Sequence, residues 1–303
     1  MKKRNIAEME VSTFCLGTMT FGTPVGKDDA VAMVHWALDQ GINFIDTADM
    51  YEGYARELGS PGGVAEQILG EALRGRRDRA IITTKAGNPV DGPDSTADIS
   101  PAHLSRQLDR SLQLLQTDYV DIFELHRPDG KTPVVESVGA MVGFVKEGKA
   151  RHWGCSNFSA EEIVEMVNLC ETSGDPRPVV SQPHYSWLSR EVEEAHLSTC
   201  RELGIAVTPY RVLESGLLTG KYQRGHPLPL DSRATDQDGS WLESPDDQMY
   251  DRLETFQREA AETGLTPAQY AIRWVLDQPA VAACVLGFKR IDQIEAVLPI
   301  FST

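Results

Sequence analysis

The stretch Phe44-Ile45-Asp46-Thr47-Ala48-Asp49-Met50-Tyr51 decides how the rest of the chain is interpreted. It has the pattern of a short buried strand that ends in an acid, with a tyrosine five residues further on. In a barrel enzyme the reactive groups lie where strands stop and loops begin. The next two apolar strands also end in reactive residues, Lys85 and His126. Asp46, Tyr51, Lys85 and His126 are therefore candidates for a single site.

On both sides of this stretch, short apolar runs alternate with helical patterns along the chain. Residues 3–13 alternate weakly and predict a hairpin. Strands are predicted at 14–18, 42–46, 80–84, 119–124, 150–154, 178–182, 205–209 and 281–286. Helices are predicted at 28–40, 64–74, 101–115, 133–147, 159–170, 190–203, 247–263, 267–276 and from about residue 291.

Eight strand–helix units in a chain of 303 residues predict an α/β fold, a (β/α)8 TIM barrel with an N-terminal β-hairpin. We expect residues 1–303 to form one domain. A doubly wound sheet is the alternative, but no Gly-x-Gly-x-x-Gly follows the first strand. Two loops, 52–63 and 210–245, are long for their positions, which is typical of functional or mobile segments.

Charge and cysteine usage exclude several classes of protein. A formal net charge of −16 and a pI near 4.9 do not fit a nucleic-acid-binding surface. The basic start lacks an apolar segment, and charges and a proline interrupt the longest apolar stretch, so we expect neither a signal peptide nor a membrane span. The five scattered cysteines fit reduced thiols in the cytoplasm, without a disulfide framework or metal site: Cys15, Cys155, Cys170, Cys200 and Cys284.

The four strand-end residues suit acid–base chemistry on a carbonyl. Adjacent strands lie about 4.8 Å apart, so side chains at the same end of strands two, three and four converge. Tyrosine has a reference pKa of about 10, and a nearby lysine ammonium lowers that pKa toward a range useful for proton donation. An aspartate keeps the lysine charged, and a histidine can donate a hydrogen bond to a substrate oxygen. No side chain supplies a hydride, so a reduction requires a nicotinamide cofactor.

Each of these residues has a plainer interpretation when it is taken alone. An aspartate after a strand is commonly a helix cap or a loop acid. A lysine is commonly a solvated surface group, and a histidine is commonly a satisfied polar residue. The joint pattern over three consecutive strand ends is what favours a catalytic site.

Further motifs accompany the opening stretch: TTKAG at 83–87, LHRPD at 125–129, GCSNFS at 154–159, GLLTGKY at 216–222 and GFK at 287–289 with Gln293. In this order, over nearly the whole chain, they resemble the aldo-keto reductase superfamily, and in particular its bacterial NADP-dependent branch. The resemblance implies that Tyr51 is the general acid and that Lys85, paired with Asp46, lowers its pKa. It also implies that His126 orients and polarises the carbonyl.

The resemblance further implies a nicotinamide site. Ser156, Asn157 and Gln182 would hold the carboxamide, and Tyr210 would stack on the nicotinamide ring. The loop after Tyr210 would fold over the pyrophosphate through Arg211, Leu213, Gly216 and Lys221. Without the resemblance, Ser156-Asn157 is equally a helix-entry turn and Gln182 a buried amide.

NADP(H) is the expected cofactor because cations follow the eighth strand of an acidic protein. Gly287, Lys289 and Arg290 match the family's clamp on the adenosine 2′-phosphate, and Gln293 matches an adenosine contact. A solvated helix start is the alternative interpretation. Ala296 and Val297 depart from the family's Glu-Asn, so we expect weaker adenine contacts.

Arg211-Val212-Leu213 departs from the family's Ser-Pro-Leu type, and Arg211 would contact phosphate or pair with Glu214. The chain ends at Thr303, earlier than most relatives, so we expect an open substrate pocket. Candidate pocket walls are aromatic and thioether side chains that equally suit core packing: Met19, Phe21, Tyr54, Trp153 and Trp187.

The sequence thus predicts an NADPH-dependent reductase of an aldehyde, ketone or keto-sugar, with hydride from nicotinamide C4 and a proton from Tyr51. An alcohol or sugar dehydrogenase running in the oxidative direction is one alternative. A nicotinamide-binding regulatory subunit is another, which a residue other than histidine at position 126 would favour. The expected partner is a small carbonyl compound, with no nucleic acid and no membrane, and the oligomeric state stays open.

Overall fold

A parallel eight-stranded sheet organises the computed structural model, which describes residues 1–230, 232–235, 242 and 244–302. The eight strands adjoin one another in chain order, with the last strand beside the first, and all seven pairings are parallel. A parallel bridge between Val207, in one end strand, and Val281, just before the other, closes the sheet. The predicted (β/α)8 barrel with an N-terminal hairpin is therefore confirmed.

The strands are short and lie close to their predicted positions. The hairpin is formed by β1 (Lys3–Ile6) and β2 (Met9–Ser12), which pair in an antiparallel manner. The barrel strands are β3 (Phe14–Gly17), β4 (Phe44–Asp46), β5 (Ile81–Ala86), β6 (Val120–Leu125), β7 (Ala150–Ser156), β8 (Val180–Gln182), β9 (Ala206–Val207) and β10 (Cys284–Leu286).

The helices alternate with these strands and cover the outside of the barrel. They are α1 (Lys27–Asp39), α2 (Val64–Ala72), α3 (Pro101–Leu115), α4 (Val134–Lys146), α5 (Ala160–Ser173), α6 (His196–Leu203), α7 (Asp247–Thr263), α8 (Pro267–Leu276) and α9 (Ile291–Val297). Short 3-10 turns lie at Arg77–Arg79, Glu191–Glu193, Glu214–Thr219 and Leu298–Phe301. In the described part of the chain, no helix is both long enough and apolar enough to cross a membrane.

Local side-chain bonds explain why several helices begin where they do. Ser159 accepts from the Glu162 backbone N–H while the Glu162 carboxylate accepts from the Ser159 backbone N–H. Thr266 and Gln269 form the same capping box at the start of α8. Ser100 caps α3, whose first residue is a proline. These caps satisfy backbone N–H groups that have no partner within the helix.

The helix predicted at 190–203 begins six residues later in the structure than was predicted, so its predicted start is wrong. The structure has a 3-10 turn at Glu191–Glu193 and starts α6 at His196. Glu193 accepts hydrogen bonds from Tyr185 and Arg190, at 2.7 Å and 2.8 Å. These bonds tie the turn to the segment before it, and Ala195, which follows the turn, has non-helical backbone angles.

Two apolar layers position the site. An outer layer lies between the strands and the helices and includes Leu104, Leu108 and Phe123. An inner layer fills the lower barrel, where Ile6 and Met9 of the hairpin pack against residues such as Phe44. Above it, at the carboxyl ends of the strands, the interior becomes polar. Reactive side chains are therefore held at one end of a packed barrel.

Candidate active site

Asp46 and Lys85 form a fully buried ion pair at the carboxyl ends of β4 and β5. The Lys85 Nζ donates to Asp46 Oδ1 at 2.6 Å and to the Thr47 carbonyl oxygen at 2.8 Å. Their side chains are 0% and 3% exposed. Burial lowers the pKa of Lys85, but Asp46, Tyr51 and Glu124 outweigh it, so that the pKa is raised. Lys85 is therefore charged at neutral pH.

Tyr51 and His126 complete the cluster from the neighbouring loops. The Lys85 Nζ lies 5.4 Å from the centre of the Tyr51 ring. The ring of His126 meets the Tyr51 ring edge to face, with centres 6.0 Å apart and planes at 81°. The structure thus brings together Asp46, Tyr51, Lys85 and His126, which are far apart in the sequence.

Burial raises the pKa of Tyr51 to about 12, although Lys85 acts in the opposite direction. Lys85 lowers the pKa of Tyr51, as the sequence predicted, but the burial of Tyr51 raises that pKa by more. Tyr51 consequently keeps its proton at neutral pH. It can give up that proton when a substrate oxygen develops negative charge in contact with it.

His126 is a neutral imidazole. Burial, followed by the nearby cations Lys85 and Arg127, lowers its pKa well below the ordinary value. Its Nδ1 is buried and has no hydrogen-bond partner within the described residues. A neutral imidazole can donate one hydrogen bond to a carbonyl oxygen without bringing a second full charge to the site.

The residues expected at the nicotinamide are linked to one another and to the ion pair. The Ser156 hydroxyl donates to the Gln182 carbonyl oxygen at 2.7 Å, and the Gln182 amide donates to Asp46 Oδ1 at 2.8 Å. Asn157 donates to the His126 carbonyl oxygen at 3.0 Å and accepts from the Tyr210 hydroxyl at 2.7 Å. Amide, hydroxyl and aromatic groups therefore converge beside Tyr51, which is a suitable set for a planar carboxamide.

The loop after Tyr210 is a tight turn with several residues in the left-handed region. Arg211, Glu214, Ser215 and Gly216 all have positive φ angles. The Glu214 and Gly216 backbone N–H groups donate within the turn, to the Arg211 and Leu213 carbonyl oxygens at 2.7 Å and 2.8 Å. At φ = 98°, a Cβ on Gly216 would lie 3.1 Å from the Lys221 Nζ, so the glycine keeps this cation close to the turn.

Two further loop residues take positions that the sequence left open. The Glu214 carboxylate accepts from His184 and from Ser186, each at 2.6 Å, so the alternative pairing of Arg211 with Glu214 is not what the structure has. Arg211 is exposed beside this turn. Leu213 packs against the core and against residues of α7 and α8.

The segment after β10 carries the residues expected at the adenosine end. Gly287 is exposed directly after the strand. The Gln293 side-chain oxygen accepts from the Lys289 backbone N–H at 3.0 Å and from that of Arg290 at 3.3 Å. Arg290 pairs with Asp292 at 3.0 Å. Gln293 therefore shapes the turn that presents Lys289.

Some of the side chains predicted to line the substrate pocket are instead buried in the core. Phe21 and Trp153 are 0% exposed, and the Trp153 indole donates to the Pro176 carbonyl oxygen at 2.8 Å, so both are core residues. Trp187 packs on Phe256 and donates to Glu259. Met19 is partly exposed near the top of β3.

Tyr54 belongs to the cationic side of the site rather than to an apolar wall. Its ring has the Arg233 guanidinium 4.7 Å and the Lys289 Nζ 5.7 Å from its centre. The contact brings together the loop after β4, the loop after β9 and the segment after β10. Arg233 was not expected at the site, because nothing in its local sequence distinguishes it within a long loop.

The sequence interpretation also missed Glu124. This acid lies two residues before His126 in β6 and is 1% exposed. The alternation of side chains along a strand could have revealed it, because residues two apart lie on the same face of the sheet. Glu124 therefore shares the inner face with His126. The acid was overlooked because the rest of the strand is largely apolar.

Comparisons with known proteins show what the chain as a whole is similar to. Residues 13–303 match the sequence model of the Aldo/keto reductase family. The chain is 34% identical to a probable voltage-gated potassium channel subunit beta of Arabidopsis thaliana, covering 97% of this chain and 89% of that protein. It is 32% identical to the uncharacterized oxidoreductase YrpG of Bacillus subtilis, covering 94% and 86%.

Two solved structures share the fold. The holo form of the aldo-keto reductase AKR11C1 from Bacillus halodurans has a TM-score of 0.80 and 30% identity, covering 100% of this chain and 91% of that one. The glycerol dehydrogenase AKR11B4 from Gluconobacter oxydans also has a TM-score of 0.80, with 28% identity and coverage of 98% and 88%.

Proposed function

The chain belongs to the Aldo/keto reductase family, and from this membership we propose that it is an NADPH-dependent reductase of an aldehyde, ketone or keto-sugar. The observation that carries the proposal is the buried Asp46–Lys85 pair beside Tyr51 and His126. The five free and buried thiols suit a reducing compartment, so we propose a cytoplasmic enzyme.

The donor set fits a nicotinamide cofactor. Ser156, Asn157 and Gln182 would hold the carboxamide, and the Tyr210 ring would pack against the nicotinamide. The turn at Arg211–Gly216, with Lys221, would hold the pyrophosphate. When bound, the cofactor supplies the hydride that no side chain can provide.

The chain's own residues donate the proton and bind the carbonyl oxygen. Tyr51 gives its proton to the oxygen as negative charge develops there. Lys85 stabilises the phenolate that remains, and Asp46 holds the ammonium in place with a 2.6 Å bond. Neutral His126 donates a hydrogen bond to the same oxygen and fixes the carbonyl orientation. Reversal of these steps would oxidise an alcohol.

The choice of NADPH rests on local charge. The protein carries a formal net charge of −16, yet Lys289 and Arg233 both lie beside the Tyr54 ring. Two cations from separate loops provide a site for an extra phosphate, which NADH lacks.

A substrate panel tests the proposal. Aldehydes, ketones and keto-sugars are incubated with NADPH or NADH, and cofactor oxidation is followed by absorbance. We expect turnover in at least one class, with kcat/KM for NADPH about 10–100-fold above NADH, as a charge-assisted contact contributes about 1.5–3 kcal/mol. A preference for NADH would overturn the cofactor assignment.

Lys289→Ala tests the phosphate contact separately. We expect KM for NADPH to rise about tenfold or more while kinetics with NADH stay unchanged, because only NADPH carries the phosphate. Lys146→Ala is the matched control, since Lys146 ends α4 and pairs with Asp175 on the outside of the barrel. An equal loss with both cofactors would show that Lys289 acts on folding or on the shared part of the cofactor.

A regulatory role is the second candidate, because some relatives are named as potassium channel β subunits. His126 and the ordered ion pair favour the enzyme. The panel separates the two: binding of NADPH without turnover of any carbonyl would favour the regulatory role. Running the panel with alcohols and NADP⁺ tests the oxidative direction, which the similarity to a glycerol dehydrogenase favours.

A further inference from the structure

A second carboxyl group lies next to the ion pair and has no assigned role. Glu124 is 1% exposed on β6, and within the described residues neither of its side-chain oxygens has a hydrogen-bond partner. A buried carboxyl without partners is costly and uncommon in a folded protein. Its position therefore calls for a physical explanation.

Glu124 stands directly beside Lys85 in the sheet. The two residues are register partners on the adjacent parallel strands β5 and β6. On the other side, Glu124 is paired with Gly154, which has no side chain. The acid thus faces the lysine within the polar layer at the carboxyl end of the barrel.

Lys85 has a donor to spare for this neighbour. An ammonium group has three N–H donors. Two of them go to Asp46 Oδ1 and to the Thr47 carbonyl oxygen. The Tyr51 hydroxyl and the Glu124 carboxyl also interact electrostatically with the ammonium.

We propose that Glu124 is a positioning residue that acts through Lys85 and sets how much of the ammonium charge reaches Tyr51. The proposal rests on the proposed function, in which Lys85 stabilises the Tyr51 phenolate. It differs from the role of Asp46, which is paired with Lys85 by a direct bond.

The surroundings of Glu124 support a change of charge near physiological pH. Burial raises its pKa to about 8, with Lys85 lowering the pKa and Asp46 raising it. Tyr51, in the loop after β4, interacts electrostatically with Glu124. Two neutral thiols complete the surroundings, Cys15 on β3 and Cys155 on β7.

The sign of the effect follows from these charges. Below about pH 8 the carboxyl is protonated, and Asp46 is the main anion that opposes the Lys85 charge. Above that pH the new carboxylate also neutralises Lys85 and repels a phenolate, so the pKa of Tyr51 rises. Alcohol oxidation needs the phenolate as its base, and this direction is therefore restrained at alkaline pH.

Glu124→Gln provides the test, because it keeps the side-chain size and removes the titration. In wild-type protein, raising the pH from 6 to 10 should weaken the infrared carbonyl band of protonated carboxyl groups, and the part of this loss that Glu124 contributes should be absent in Glu124→Gln. In pH profiles of kcat for alcohol oxidation, the variant should shift the apparent pKa down by about one unit.

Glu66→Gln is the matched control, since Glu66 is also fully buried with a raised pKa but lies on α2 against Thr84. It should keep both the Glu124 infrared change and the wild-type pH profile. If Glu124→Gln does not fold, Glu124→Leu is used instead, and the same infrared and pH-profile results are expected. Identical infrared changes or identical profiles in wild type and the Glu124 variant would overturn the proposal. Absence of turnover in every protein would refute the proposed function, while the infrared comparison still decides the titration.

Discussion

Tyr51→Phe is expected to lower kcat for carbonyl reduction by about 10²–10⁴-fold, the usual contribution of a positioned general acid. The phenylalanine ring can occupy the same half-buried place against His126 and beneath Lys85, so only the hydroxyl group that carries the acidic proton is lost. Tyr51 has its pKa raised to about 12, so wild-type protein holds this proton throughout the neutral range.

The measurement is single-turnover reduction with saturating NADPH, together with the dissociation constant of NADPH from fluorescence. The dissociation constant should stay within about twofold, because an interaction made only in the transition state affects kcat and not ground-state binding. Tyr119→Phe is the control, since Tyr119 lies just before β6 at the opposite end of the barrel. Reduction by Tyr51→Phe within tenfold of wild type would remove Tyr51 from the role of acid.

The barrel could be predicted because each unit carries its own local signals. The bounds of α3 follow from Ser100-Pro101 and the leucine stripe, and α8 follows from the capping box at Thr266. Strand ends were less accurate. Residues 281–283 were predicted as strand, but they bond to β9 through an isolated bridge at Val281, and β10 begins only at Cys284.

The candidate site could be predicted as far as it depends on strand ends. Asp46, Lys85 and His126 follow apolar runs, and parallel strands bring such ends to one edge. The bond from Gln182 to Asp46 could not be predicted, because it joins residues 136 positions apart and depends on closure of the barrel. The same holds for Tyr54, which meets Arg233 and Lys289 only after three loops converge.

Desolvation was the main effect that the sequence did not show. A neighbouring lysine suggests a lowered tyrosine pKa, but burial of Tyr51 outweighs that neighbour. Similarly, Phe21 was predicted as a pocket wall because it is aromatic, but it is fully buried in the core. Both outcomes depend on how much water each side chain loses, which is a property of the packed structure.

Lys85→Met is expected to reduce stability as well as activity. The substitution removes the ammonium but leaves the Asp46 carboxylate, 2% exposed, with the Gln182 amide as its remaining side-chain donor among the described residues. Breaking a buried pair by removing one partner costs about 3–5 kcal/mol, because the other charge stays buried without compensation. The free energy of unfolding is measured by urea denaturation at constant slope.

The double variant Asp46→Asn/Lys85→Met separates the ion pair from its function. Asparagine can still accept the Gln182 hydrogen bond but brings no charge, so the double variant should recover most of the lost stability. It should not recover reduction, because Tyr51 then has no ammonium to stabilise its phenolate. Lys146→Met, at an exposed pair with Asp175, should leave both quantities nearly unchanged. Additive losses in the double variant would mean that Asp46 and Lys85 contribute to stability independently, and the buried pair would then not be the unit that holds the site.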